Sequence, residues 1–301
     1  MIDAKEIEFK FSLLLILAGA ALAAAGESPH ADLVRQFLKS PEASRYSNNL
    51  LEDALLDVPG LIEKYGYPVE VHDVVTEDGY IIQMQRIPHG RDRNNVPDSN
   101  KTPVLLMHGL LSSAADYIIM GPGLGLGYIL AEEGYDVWMG NARGTYYSRR
   151  HVTLDPDGRN DFWAFSWDEI GRLDLPAMID YILEKTGKSR LHYIGHSQGT
   201  TVFWVMGSLR PEYNEKIITM QALAPVAYLE FNENRLFILL APHADRIETL
   251  ANLVGVREFL AKSELITQLG GTFCGDGSPV QSTCSNMLFL IAGKSEDQHN
   301  A

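Results

Sequence analysis

The stretch Leu191-His192-Tyr193-Ile194-Gly195-His196-Ser197-Gln198-Gly199-Thr200-Thr201-Val202-Phe203 decides how this chain is read. Its centre, Gly195 to Gly199, has the form G-x-S-x-G, which places a serine on a sharp turn between a strand and a helix. Five positions with three fixed are met by chance fairly often, so the pattern alone is weak. The setting strengthens it. An apolar run precedes Gly195, and the helix-compatible TTVFWVMGSL follows Gly199. The flanking glycines suit a turn in which a Cβ would clash. Ser197 is therefore the candidate nucleophile. The bland alternative is a Gly-Ser turn in an inactive relative.

A serine hydroxyl needs a histidine to take its proton and a carboxylate to hold that histidine. In this arrangement the chain order is serine, then acid, then histidine. Beyond Ser197 the histidines are His243 and His299. An acyl-transfer site also needs backbone donors for the oxyanion, one from the residue after the nucleophile and one from the loop after an early strand. Those donors are expected to be Gln198 and, from His108-Gly109-Leu110-Leu111-Ser112-Ser113, Leu110. His108 precedes Ser197, the wrong order for a base, and reads as structural.

Outward from this centre, strand-like and helix-like runs alternate. VEVHDVVTEDGYIIQMQRIP reads as a hairpin turning at Glu77-Asp78-Gly79. TPVLLMHG reads as a buried strand, YILAEEG as a short helix, and Tyr135 to Met139 as another buried strand. WDEIGRLDLPAMIDYILEKTG has helical spacing with Gly187 as its stop, and KIITMQALAP closes the series as a strand. The expectation is an α/β fold, a mostly parallel sheet with helices on both faces. From Val226 to about Leu290 the pattern changes to short amphipathic helices without strands, a helical insertion whose Leu, Ile, Phe and Met side chains serve as core contacts, as an acyl-chain pocket, or as both.

The 301 residues are 46% hydrophobic with a net charge of −14. That provides ample core and, with no Lys/Arg-rich run, argues against nucleic acid as a partner. Phe11 to Leu22 is apolar over the length of a signal-peptide core, with small residues at Ala21 to Ala25 and Lys5 and Lys10 ahead of it, although Asp3, Glu6 and Glu8 dilute that charge. A short buried helix or a membrane anchor is the alternative. No other apolar run reaches spanning length, so no stable transmembrane segment is expected after cleavage. Cys274 and Cys284 suit a disulfide closing a short polar loop, or else two buried thiols. Asn100-Lys101-Thr102 is a glycosylation sequon in a polar loop. The glycine-rich GPGLGLG, Gly121 to Gly127, fails as a nucleotide loop because Leu126 and Tyr128 stand where glycine is needed. No metal-binding or cofactor motif is present, so neither a metal nor a cofactor is expected. The expected layout is a signal peptide over 1–25, a core over 26–225, a helical cap over 226–290 and a polar tail over 291–301.

Six stretches resemble the acid lipases of the gastric and lysosomal type, including insect members: YGYPVEVHDVVTEDGYIIQMQRIPHG, PVLLMHGLLSSAADYI, LAEEGYDVWMGNARGTYYSRRHVTLDP, FWAFSWDEIGRLDLPAMIDYI, YIGHSQGTT and TFCGDGSPVQSTCSNMLFLIAG. The resemblance spans roughly 57–293. It implies an α/β-hydrolase fold with a helical cap, hydrolysis of ester bonds in neutral lipids such as triacylglycerol or cholesteryl ester, acidic working conditions, and a secreted or lysosomal location. It maps the nucleophile onto Ser197, the oxyanion donors onto Leu110 and Gln198, and a cap disulfide onto Cys274 and Cys284. It also implies that the acid and histidine follow two further strands beyond the cap, a portion expected to be missing from this sequence. Asp297 and His299 are only two residues apart and cannot stand at the ends of two strands, so no residue of the chain is assigned as triad acid or base. The rival expectations are a non-catalytic lipid-binding chain and an esterase for more polar esters.

Overall fold

The computed structural model describes Asp53 and residues 56–91, 96–158, 161–228 and 235–253. Residues 56–229 form one compact unit, and the helices from 235 onward fall in a second. The first unit is built on a six-stranded sheet in the order β1-β2-β4-β3-β5-β6. The hairpin is present as β1 (Glu70–Val75) and β2 (Ile81–Ile87), paired antiparallel. At its turn Gly79 has φ +97°, where a side chain would be strained, and its N–H donates to the Thr76 carbonyl. β2 also runs antiparallel to β4 (Asp136–Gly140). From there β4, β3 (Pro103–Met107), β5 (Leu191–His196) and β6 (Ile217–Leu223) are all parallel.

Alternate residues of the central strands supply two separate cores. Leu105, Met107, Trp138 and Tyr193 face one cluster, with Met178, Ile179 and Ile182 of α4 (Leu175–Thr186) and Val202, Phe203 and Met206 of α5 (Gln198–Leu209). Val104, Leu106, Val137, Met139 and Ile194 face the other, with Leu61 and Ile62 of α1 (Val58–Lys64) and Tyr128 and Ala131 of α2 (Leu126–Glu132). Strands covered on both faces favour near-continuous apolar runs, and β3 and β4 are buried throughout, with the charge at the start of β4, Asp136, paired with Arg86. β6 is different: only Ile217 is buried and Met220 half-buried, with the rest exposed.

The stretch from Trp167 to Gly187 reads in sequence as one helix. The chain instead makes a short helix, α3 (Trp167–Glu169), a π-helical turn over Ile170–Asp174, and then α4, ending at Gly187 with φ +67°. The Leu175 N–H donates to the Ile170 carbonyl, five residues back. Pro176 follows and has no N–H to give, so the regular ladder cannot run through. The widened turn seats Gly171 against α5, where a Cβ would lie 2.6 Å from the Val202 carbonyl oxygen and 2.7 Å from Val205 Cβ.

The second unit contains α6 (Arg235–Leu240), a 3-10 turn (Ala241–His243) and α7 (Ala244–Leu253). These helices lie in the region read as the cap. Among the described residues no helix is long and apolar enough to cross a membrane. The expected signal peptide (1–25), the polar tail (291–301), Cys274, Cys284, Asp297 and His299 lie outside the described residues.

Gly171→Ala tests the π turn. Alanine in an ordinary helix gains up to about 1 kcal/mol over glycine. Here the contact with the Val202 carbonyl reverses the sign, and denaturant unfolding should show a loss of about 1–3 kcal/mol. A stabilised variant would show that the π turn and α5 are not so closely packed.

Candidate active site

β5 ends at His196, and Ser197 follows with φ 51° and ψ −116°, outside the regions a side-chain-bearing residue normally occupies. Such a conformation costs on the order of 1–3 kcal/mol and persists only when its surroundings enforce it. They do so from four directions. The Ser197 N–H donates to the Leu223 carbonyl at the end of β6, at 2.9 Å. The Ser197 carbonyl accepts from the Thr200 N–H at 2.9 Å and from Thr200 Oγ1 at 2.6 Å. Thr200 Oγ1 in turn accepts from the Val226 N–H at 2.9 Å, and Thr201 Oγ1 donates to the Val226 carbonyl at 2.8 Å. The turn is closed by its glycines: a Cβ on Gly195 would lie 2.6 Å from the Gly199 carbonyl oxygen, and one on Gly199 would lie 2.2 Å from that of Met107. Both carbonyls are bonded by buried tyrosines, Gly199 by Tyr193 Oη and Met107 by Tyr117 Oη, each at 2.7 Å.

Of the residues singled out in the sequence, the structure brings two segments together. Gln198 is the first residue of α5, directly after Ser197. The loop after β3 passes beside the serine: a Cβ on Gly109 would lie 3.3 Å from Ser197 Cβ and 3.2 Å from His196 Nδ1. Leu110 follows at 57% exposure, and Leu111 has φ +59°. Asp116 links the same loop to the turn, accepting from the Ser112 hydroxyl and lying 3.8 Å from His196 Nδ1.

Histidines of this unit are engaged away from the serine hydroxyl. His108 is buried, its Nε2 accepts from the Ala142 N–H at 3.1 Å, and its Nδ1 lies 2.7 Å from the Gly109 carbonyl. A backbone N–H can only donate, so Nε2 is bare and Nδ1 carries the proton. Burial pushes its pKa below the ordinary histidine value. His72 bonds Tyr181 and Glu70, His89 the Gly90 carbonyl, His151 the Asp78 carbonyl, and His192 Thr219. His243 lies in the second unit.

One cluster escaped the sequence reading. Arg143, in the loop after β4, is buried with its guanidinium between Asp78 of the hairpin turn and Asp174 of the π turn. Burial works against its charge, and the two carboxylates outweigh that, so its pKa rises. No local spacing marks three charges so far apart in sequence. Tyr117 and Tyr193 were equally unmarked, since each sits in an apolar run.

Comparison with known proteins agrees with this architecture. Residues 58–121 match a partial α/β-hydrolase lipase region, and residues 102–244 match the α/β hydrolase fold. The chain is 44% identical over 266 residues to Lipase 1 of Drosophila melanogaster, covering 87% of this chain and 55% of that protein. It is 46% identical over 237 residues to Lipase 3 of the same organism, covering 79% of this chain and 59% of that one. It is 41% identical over 265 residues to gastric triacylglycerol lipase of Bos taurus, covering 87% and 62%. The chain thus spans only a little over half the length of these relatives.

Two outcomes follow from the geometry. Gly199→Ala places a methyl against the Met107 carbonyl, where neither backbone can give, and should cost about 3 kcal/mol or more. A native-like melting temperature would mean that α5 can withdraw from β3. His108 has its folded-state pKa depressed, so its contribution to stability is present above about pH 6.5 and declines as pH falls. Stability measured against pH should lose that component in His108→Asn; an identical pH slope in both proteins would mean that His108 is not held neutral.

Proposed function

Because the chain belongs to the lipase family of α/β-hydrolases, we propose that it carries the nucleophile of an enzyme that hydrolyses carboxylic esters of neutral lipids, triacylglycerol or sterol ester. The observation that carries this reading is the strained Ser197 at the junction of β5 and α5, held by hydrogen bonds to its backbone. Strain of this kind is retained where it serves a site.

In this reading Ser197 Oγ attacks the ester carbonyl while its proton passes to a general base. The carbonyl oxygen becomes an oxyanion facing the N–H groups of Leu110 and Gln198. Collapse breaks the ester C–O bond, the alcohol leaves with the proton, and water then releases the fatty acid from the acyl-serine. The acid and base are not assigned to residues of this chain. Neither His243 nor His299 is given the role. The reading extends to export from the cell, to the extracellular space or the lysosome, with a glycan on Asn100. That residue is exposed in a turn, where its N–H bonds Asp98 Oδ1 at 2.8 Å. A Cys274–Cys284 disulfide and action at a lipid–water interface belong to the same proposal. No cofactor is invoked.

The test is hydrolysis of a long-chain ester. The chain assayed alone, residues 1–301, gives the reference rate. Fusing to it the part of the Drosophila Lipase 1 chain that lies beyond the matched region should raise the rate by orders of magnitude, and Ser197→Ala should abolish the gain. A gain that survives Ser197→Ala rules out this nucleophile. Fast hydrolysis by the chain itself, lost in His243→Ala or His299→Ala, would place the base within it. In secreting cells, Asn100→Gln should remove a glycosidase-sensitive mass increment; an unchanged mass contradicts the glycan.

A further inference from the structure

We infer that Arg143 is a positioning residue that fixes the backbone segment facing Ser197. The inference deepens the reading above and rests on it for its relevance to catalysis, while its geometry stands independently.

Arg143 is gripped by three bonds from its side chain and one from its backbone. Its N–H donates to Asp174 Oδ2 at 3.0 Å and its Nε to Asp174 Oδ1 at 2.8 Å. Nη1 donates to Asp78 Oδ2 at 2.6 Å and Nη2 to Asp78 Oδ1 at 3.0 Å. The guanidinium also stacks 4.0 Å from the centre of the Tyr80 ring. A buried Arg–Asp cluster is a poor source of net stability, because desolvation offsets most of the attraction. Its effect is geometric: a planar fork accepts its partners in one orientation. Here it sets the path of the loop after β4 relative to the hairpin turn and the π turn.

The two residues just before Arg143 hold both ends of the segment 108–114. The Ala142 N–H donates to His108 Nε2, and His108 Nδ1 donates to the Gly109 carbonyl. The Asn141 Oδ1 accepts from the Ala114 N–H at 3.0 Å, while its amide nitrogen is itself tied to the Gln83 carbonyl and Gln85 Oε1. Between these two fixed ends lie Gly109, against Ser197, then exposed Leu110, then Leu111 with its positive φ. The segment is thus a bridge whose two supports are neighbours in sequence, and Arg143 anchors those supports. An N–H that is to meet an oxyanion must be held in place before the reaction begins. Arg143 touches neither the serine nor the substrate position; it acts through Ala142 and His108.

The experiment compares the wild-type chain with Arg143→Lys, which keeps the charge and loses the fork, and with Asp78→Asn, which leaves the Asp174 grip in place. Amide hydrogen exchange and the nitrogen resonances of the His108 ring are read in each, together with the rate at which a fluorophosphonate labels Ser197. The expected result is exchange on the order of tenfold faster at Gly109 to Ala114, and a His108 Nε2 resonance moved toward that of an unbonded nitrogen. Protection in β3 and β5 should be unchanged, and the effects smaller in Asp78→Asn. Exchange that rises equally across the sheet, or an unchanged segment and His108 signal, overturns the inference. Where Arg143→Lys does not fold, Asp78→Asn decides by the same criteria. Failure of wild-type Ser197 to label counts against the nucleophile reading alone, because exchange and the His108 signal judge the positioning without it.

Discussion

The approach of Gly199 to the Met107 carbonyl is the contact on which the remaining structure depends. Only a residue without a Cβ can stand there, since the added carbon would be 2.2 Å from that oxygen. This closeness lets α5 begin directly above the end of β3, the strand with β4 on one side and β5 on the other. It forces the chain to turn from strand to helix within one residue, and that residue is Ser197 with its positive φ. It also brings the loop after β3 beside the serine. Strained turn, helix start and the loop after β3 thus meet at a single backbone contact, closed off by Tyr117 and Tyr193.

Around that contact the buried polar groups are paired along specific lines. Arg143 joins the hairpin turn to the π turn, Asn141 joins β2 to the loop after β3, and His108 joins the ends of β3 and β4. Such groups contribute little net stability once desolvation is counted, but a partner left unpaired in the interior costs several times an ordinary hydrogen bond's net worth. They therefore select one arrangement of loops from many that would bury the same apolar area. The π turn belongs to this set. A regular helix through Ile170–Asp174 would have a different residue phase, and Asp174 would not meet Arg143.

Relatives at 41–46% identity carry lipase names, and the matched family regions cover the part of the chain that builds the sheet and the serine turn. The proposed nucleophile, Ser197, lies within this matched part. The half that supplies acid and base is a separate matter in this architecture, because those residues come after the serine in the chain. Among the described residues, His72, His89, His108, His151 and His192 are hydrogen-bonded within the fold, His108 through both its nitrogens.

Features encoded by local chemistry can be read directly from the residues. The hairpin is legible because Glu77-Asp78-Gly79 interrupts two β-rich runs. The buried strands are legible because β3 and β4, covered on both faces, carry almost only apolar residues. The Ser197 turn is legible because glycine stands at both positions where a Cβ is excluded. Gly187 marks the end of α4 for a similar reason, its φ of +67°. Other features arise from contacts between distant segments. The break of Trp167–Gly187 into a π turn depends on how closely Gly171 packs against α5, together with the missing N–H of Pro176. The union of Asp78, Arg143 and Asp174 joins residues separated by tens of positions, which periodicity does not register. The exposure of β6 beyond Ile217 is invisible in its apolar composition, because a strand's residues report what could be covered, and only packing determines what is.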